Sequence, residues 1–420
     1  MIEKEVDLTS EERAMLQGSS GEATRKAIEI IVALARVYGA RKLVPVASAQ
    51  VAGVSYMNLG DAGLDFLLKW ADAGAQVRIP AMLNPAGMDL TAWQTLGISR
   101  SFAHKQRMVV EVYTAMGVQP TCTCTPYLAG HVPEFKQHLA WSESSAVSFA
   151  NSVLGARTNR EGGPSALASA MVGRTAEYGL HLDDCRLAHY KIDVRCGVSS
   201  LSDYGALGYL VGQRVSNGIP YFCFRDAPWT RATWGVGELP PEPLISGLKL
   251  LGAAMAASGA VALYHVDGLT PEARMSDMLA SDAKVMRIDD LSKGYSALNS
   301  PVNQIDLVSI GCPHASLDEI RWVGELLDGR KVTSDLWVTT ARSTREEAER
   351  QGLVDRIQAA GGQVVADTCL VVSPMKMLGY HSLATNSAKM AFYAPSHVGL
   401  QVRFGSLEQC IQAATTGKWE

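Results

Sequence analysis

The sequence predicts an α/β protein of several lobes, in which parallel sheets are covered by helices. Two observations predict this. Strand-like and helix-period segments alternate at both ends of the chain. The 420 residues are also 47 % hydrophobic, enough apolar material for two or three cores. Charged residues make up 19 % and the formal net charge is −4. Such a balance gives no reason to expect nucleic acid or an anionic membrane as the partner.

The chain opens with a capping box, Thr9 followed by Glu12, ahead of a short helix that stops at Gly18. A second helix covers about residues 21–38, with Ile28, Ile31, Val32 and Ala35 at helical spacing. "KLVPVA" (42–47) reads as a strand, "DAGLDFLLKWADAG" (61–74) as a helix and "QVRIPAML" (76–83) as a strand. "KQRMVVEVYTAMG" (105–117) is a helix, and "VQPTC" (118–122) a short extended segment. The apolar run 244–266 contains Lys249 and divides near Ser258-Gly259 into a buried helix and a strand, not a membrane span. Alternation resumes with a strand at 304–310, a helix at 316–329, a strand at 334–340, one helix over 344–362 and a strand at 363–367. The Pro-rich "GVGELPPEP" (235–243) is the best candidate for a break. The approximate lobes are 1–140, 141–300 and 301–420.

The opening "MIEKEVDLTSEERAML" is acidic and polar, unlike a signal peptide. Eight cysteines are too sparse for a disulfide scaffold. A reducing cytoplasm is the expected location. Three of those cysteines sit where strands end. Cys124 follows an extended segment, Cys312 lies two residues past a strand, and Cys369 lies just past another. Ligands of open parallel sheets gather beyond the carboxyl ends of strands, so these thiols can converge although far apart in sequence. Three thiolates without a fourth suit an iron–sulfur cluster with one open iron, able to act as a Lewis acid. The alternatives are buried cysteines of no chemical role, which is how Cys185, Cys196, Cys223 and Cys410 read, or a zinc site from Cys122, Cys124, His131 and His138, whose spacing fits no common zinc pattern.

Polar stretches near other element ends supply candidate contacts. Glu143, Ser144 and Ser145 precede a small-residue helix. Asn159 and Arg160 precede a double glycine and Pro164, where helix N–H groups and a guanidinium can hold an anion. Gln50, Ser55 and Tyr56 follow a strand, His181 lies in "GLHLDDCR", and Lys389 lies in "ATNSAK". Each can also be an ordinary turn or a structural contact.

Taken together, "CTCTPY", "AWSESSAVSFANSVLGARTNREGGPSALA", "YGLHLDD", "GCPHASL", "DTC" and "ATNSAK" resemble the aconitase X family, in its two-subunit, archaeal-type form. That resemblance implies an aconitase-like, multi-lobed fold of parallel and mixed sheets with helices on both faces. It implies a cleft completed by a separate small subunit of about a third this size (about 130 residues), and an iron–sulfur cluster of uncertain nuclearity held by Cys124, Cys312 and Cys369. The implied reaction is dehydration of a β-hydroxy acid, mevalonate 5-phosphate in the archaeal form and cis-3-hydroxy-L-proline in a sister branch; "GCPHASL" favours the former. The implied base is a serine on the small subunit. Gln50, Ser55, Tyr56, the Glu143–Ser145 run, Arg160 and Lys389 would line the substrate pocket. Lys136 and Gln137 stand where the family usually carries glycine and an acidic residue. A rival of another class is a non-catalytic iron–sulfur or binding protein that keeps the fold.

Overall fold

The computed structural model describes residues 5–225, 234–235 and 237–420. Helix α1 (Ser10–Leu16) carries the expected capping box. Thr9 Oγ1 accepts from the Glu12 N–H and the Glu12 carboxylate accepts from the Thr9 N–H, pairing two donors that a helix start leaves open. Helix α2 (Glu22–Tyr38) buries Ala27, Ile28, Ile31, Val32 and Ala35 along one stripe. There follow β1 (Leu43–Pro45), β2 (Ala49–Val51), α3 (Tyr56–Asp72), β3 (Ala81–Leu83), α4 (Arg100–Ala115), β4 (Ala140–Trp141), α5 (Ser144–Ser152), α6 (Gly163–Val172) and β5 (Arg174–Ala176). Strand β2 is the centre of a parallel sheet ordered β3-β2-β4. The "KLVPVA" strand lies outside that sheet, pairing antiparallel with β5. "QVRIPAML" contributes only its last three residues, because Pro80 has no N–H and Val77 and Arg78 donate to Met116 and Ala170 instead. "VQPTC" is not a strand. Gln119 alone bridges Met82, and Pro120 cannot continue a ladder.

The middle of the chain forms β6 (Ala188–Val194), α7 (Leu201–Val215), β7 (Pro220–Phe224), α8 (Leu244–Gly259), β8 (His265–Val266), α9 (Pro271–Met275), β9 (Leu279–Ile288) and α10 (Ser292–Ala297). Its sheet, β8-β7-β6-β9, is parallel throughout. The apolar run is therefore helix then strand, turned by Ala260 in the left-handed region. Among the described residues no helix is long and apolar enough to cross a membrane. Part of the segment before α8, at positions 226–233 and 236, lies outside the described residues.

The last sheet, β12-β11-β10-β13-β14, is also parallel. It comes from β10 (Leu307–Ala315), α11 (Leu317–Leu327), β11 (Asp335–Thr340), α12 (Arg342–Arg350), α13 (Leu353–Ala359), β12 (Gln363–Ala366), β13 (Ser382–Thr385), α14 (Ala388–His397), β14 (Gln401–Phe404) and α15 (Leu407–Thr416). The single helix expected over 344–362 is two, because Gly352 takes φ +70° between them. Strand β10 starts later than expected and runs on to Ala315, with its register against β11 shifting after Ile310. Gly311 makes the bulge at φ +96°, and a Cβ there would stand 2.1 Å from the Thr339 carbonyl. This bend carries Cys312 out of the regular ladder.

Two carboxylates clasp the first and last sheets. Asp89 accepts from the Ala366 N–H at 3.0 Å, Asp367 accepts from the Leu90 N–H at 3.2 Å, and Arg342 donates to both. Carboxyl ends of β2, β3 and β4 thereby come to face those of β10, β12 and β13.

Candidate functional site

Between those strand ends lies a cavity of about 240 Å³, into which the folded chain gathers Cys124, Cys312, Cys369, Glu143, Ser144, Arg160 and Lys389. Cys312 follows the Gly311 bulge, and Cys369 lies three residues past the end of β12, at the start of a 3-10 turn over Leu370–Val372. Cys124 is fixed without a strand: the Gln50 amide donates to the Thr123 carbonyl at 3.0 Å, and the His314 N–H donates to Cys124 Sγ at 3.2 Å. Cys122, two residues earlier, is buried at φ +43° and lines no part of the cavity.

The thiols differ in acidity. A hydrogen bond from the Cys369 thiol and the nearby Lys389 ammonium hold Cys312 below the usual range, against burial. The same contact and burial hold Cys369 well above it. Burial pushes Cys124 up to about 12.

Glu143 is the N-cap of α5, accepting from Ser145 N–H. It also accepts from Asn84 at 2.8 Å and pairs with Lys389, which reaches across from the first turn of α14. Burial opposes its ionisation, but the Lys389 ammonium and the Asn84 amide overcome it and lower the carboxyl to about 2. Lys389 is raised in turn by Glu143. Arg160 lines the same cavity, and among the described residues its guanidinium has no hydrogen-bond or ion-pair partner. It is the side chain left to meet an anion.

Other candidates stand at varying removes. Gln50 joins Glu143 N–H and Thr123 from behind the cavity wall. Ser55 caps α3 and donates to Val372, itself a lining residue. Ser145 donates to Glu143 and lies 3.3 Å from Lys389 Nζ. Tyr56 bonds outward to Asp61, and Asn159 braces the turn at Tyr178 and Leu180. Pro164 is the second residue of α6, whose start abuts Ala52 rather than the cavity. His181 lies away from the cavity, its Nδ1 2.9 Å from that of His138, and burial lowers it to about 3. With His138 taken up there and Cys122 elsewhere, the zinc alternative is not assembled. Among the described residues no three His, Cys, Asp or Glu side chains are grouped to hold a metal ion.

The cavity also takes Asn84 and Pro85 after β3, Asn58 on α3, and Tyr393 and His397 on α14. Lys389, Tyr393 and His397 recur every four residues, a helical stripe visible in the sequence. Asn84 follows a strand end, the other available signal.

Models of the first, second and third domains of aconitase X match residues 5–184, 188–293 and 305–416. The phosphomevalonate dehydratase large subunit of Methanothermobacter thermautotrophicus is 50 % identical over 94 % of this chain and 95 % of its own. That of Methanocaldococcus jannaschii is 47 % identical over 96 % and 99 %. The cis-3-hydroxy-L-proline dehydratase of Pseudomonas aeruginosa is 35 % identical over 97 % of this chain but only 70 % of its own. A crystal structure of Thermococcus kodakaraensis aconitase X in its holo-form superposes with a TM-score of 0.87 at 44 % identity, covering 97 % of this chain and all of that one.

Proposed function

The chain belongs to the aconitase X family, and from that premise we propose that it is the large subunit of a hydro-lyase that dehydrates mevalonate 5-phosphate to an anhydromevalonate phosphate. The relatives that it matches over almost their whole length, at 45–50 % identity, are named for that activity. The hydroxyproline enzymes are less similar and longer. The name of the phosphomevalonate dehydratase relatives as large subunits calls for a smaller partner, which completes the cleft.

The observation that carries the reading is the convergence of Cys124, Cys312 and Cys369 on one cavity that also holds a free guanidinium. Three soft sulfur donors on one wall fit an iron–sulfur cluster better than a single ion, since ligands of a cluster stand farther apart than ligands of one metal. When bound, such a cluster supplies an open iron as Lewis acid for the leaving hydroxyl. Arg160 holds an anionic end of the substrate by a forked, permanently charged contact. Glu143, kept ionised by Lys389, is too weak a base to take a carbon-bound proton; it fixes Lys389 and Asn84 at the cavity wall. The proton acceptor is assigned to the partner subunit.

Anaerobic reconstitution with the small subunit tests this. The complex should dehydrate mevalonate 5-phosphate faster than cis-3-hydroxy-L-proline, and the large subunit alone should be nearly inactive. The reverse preference moves the chain to the sister branch, and no turnover of either makes it a binding protein.

A further inference from the structure

His314 sits two residues beyond Cys312 and is fully buried. Its Nε2 lies 2.8 Å from the Thr368 carbonyl. A carbonyl only accepts, so Nε2 carries the ring hydrogen and Nδ1 is the acceptor. Nδ1 lies 3.0 Å from Thr123 Oγ1, which therefore donates to it while accepting from the Thr125 N–H at 3.1 Å. The main chain of His314 is used as well. Its N–H donates to Cys124 Sγ at 3.2 Å, and its carbonyl accepts from Lys249 at 3.0 Å, with the Lys249 ammonium paired to buried Glu319.

Thr123 precedes Cys124 and Thr368 precedes Cys369, so one imidazole bonds to the neighbour of each distant thiol while its own strand carries the third. Neither distant thiol lies within a strand; the only ladder-like contacts nearby are the Thr123 N–H to the Leu83 carbonyl of β3 at 3.0 Å and a single bridge between Thr368 and Ala86 among the described residues. Cys124 lies outside the described strands, and Cys369 lies three residues past β12 and opens a 3-10 turn. The Cys369–Cys312 contact is a weak thiol hydrogen bond that leaves Cys124 out, and thiolates repel, so the convergence of all three needs bonds made by neighbours. We propose that His314 is a positioning residue that pre-assembles the three-thiol wall, its donor fixing the Cys369 segment and its acceptor fixing the Cys124 segment. This rests on the reading of the three cysteines as cluster ligands, but the clamp is a property of the metal-free chain.

The two arms can be cut separately. An asparagine amide oxygen falls close to the position of an imidazole Nδ1, and a glutamine amide nitrogen close to that of Nε2. Metal-free, full-length protein is alkylated with iodoacetamide under native conditions, and each cysteine is followed by peptide mass spectrometry. His314→Asn should raise the labelling rate of Cys369 about tenfold and leave Cys124 near the parent rate. His314→Gln should do the opposite. Tenfold corresponds to about 1.4 kcal/mol, near the net value of one hydrogen bond. Thr123→Val, a milder change, should expose Cys124 alone. Buried Cys410, which packs in a separate core and lines no part of the cavity, reports global loosening. A rise that includes Cys410 equally, or parent rates at both Cys124 and Cys369, overturns the clamp. Failure of the ligand reading is separate: it appears as retained colour in Cys→Ser proteins and leaves the labelling pattern intact.

Discussion

The Lys389 ammonium and the Glu143 carboxylate form a largely buried ion pair at the cavity, tying the first turn of α14 to the cap of α5. Each partner keeps the other charged. Replacing Glu143 by glutamine leaves the largely buried Lys389 ammonium without its counter-charge, which costs about 1–3 kcal/mol. The Glu143→Gln protein should show that loss in its urea midpoint, and Glu143→Gln/Lys389→Met should recover much of it. The acid limb has a defined sign. The carboxyl titrates near 2 when folded against 4.5 ordinarily, so its stabilisation is present above pH 4.5 and is lost as pH falls toward 2.

Single Cys→Ser changes at 124, 312 and 369 should each bleach the visible absorbance of anaerobically purified protein. Cys122→Ser should bleach it far less, because Cys122 does not line the cavity. Full colour in the Cys312→Ser protein rejects the three-ligand assignment.

Arg160→Lys keeps the charge and removes the fork. Substrate affinity of the reconstituted complex should fall roughly ten- to hundredfold, as expected for losing about 1.5–3 kcal/mol of charge-assisted bonding. Cluster absorbance and melting temperature should stay at parent values. Unchanged affinity would leave Arg160 a surface of the turn and nothing more.

The His138–His181 contact makes a second pH dependence. Burial first, then neighbouring His138 and Arg186, lower His181 from 6.5 to about 3. The folded state favours the neutral ring, so this stability is complete above pH 6.5 and drains away below it, by about 1.4 kcal/mol per pH unit per proton. His181→Asn should flatten the stability–pH curve between pH 6.5 and 5 by about one proton. A curve of unchanged slope would assign the titration to other groups.

Lys136 takes φ +62°, a region that favours glycine. Its side chain is exposed, with a 4.0 Å approach to Asp183 and an exposed cation–π contact 5.8 Å from the Phe135 ring centroid to lose. Lys136→Gly should raise stability by about 0.5–1 kcal/mol in urea titrations. A lower midpoint would mean the side chain contributes more than its contacts indicate.

Periodicity made the long elements legible. The stripe of α2, the capping box at Thr9 and the split of 244–266 into helix and strand all follow from local chemistry that the tertiary structure preserves. Short strands were harder. Val77 and Arg78 look like strand residues but give their N–H groups to other loops, and Gly352 breaks a helix whose apolar spacing continues across it. At the cavity, cysteines at strand ends and polar residues at Glu143, Arg160 and Lys389 were visible as candidates. Their convergence was not, since it depends on the Asp89–Arg342–Asp367 clasp, made between residues far apart in sequence. His181 shows the opposite failure: a polar residue in a polar stretch whose partner, His138, sequence spacing does not reveal.

The clasp has a further consequence for how the molecule is made. Cys369 directly follows the segment that Arg342 and Leu90 bind through Asp367. A ribosome that has delivered only the N-terminal lobe has therefore produced Cys124 beside half a wall, with the rest still unsynthesised. If the three thiols are the ligands, metal loading cannot begin on the nascent chain and waits for the C-terminal sheet to dock. Loading would then follow completed synthesis, since a fragment that lacks the C-terminal sheet carries only one of the three thiols.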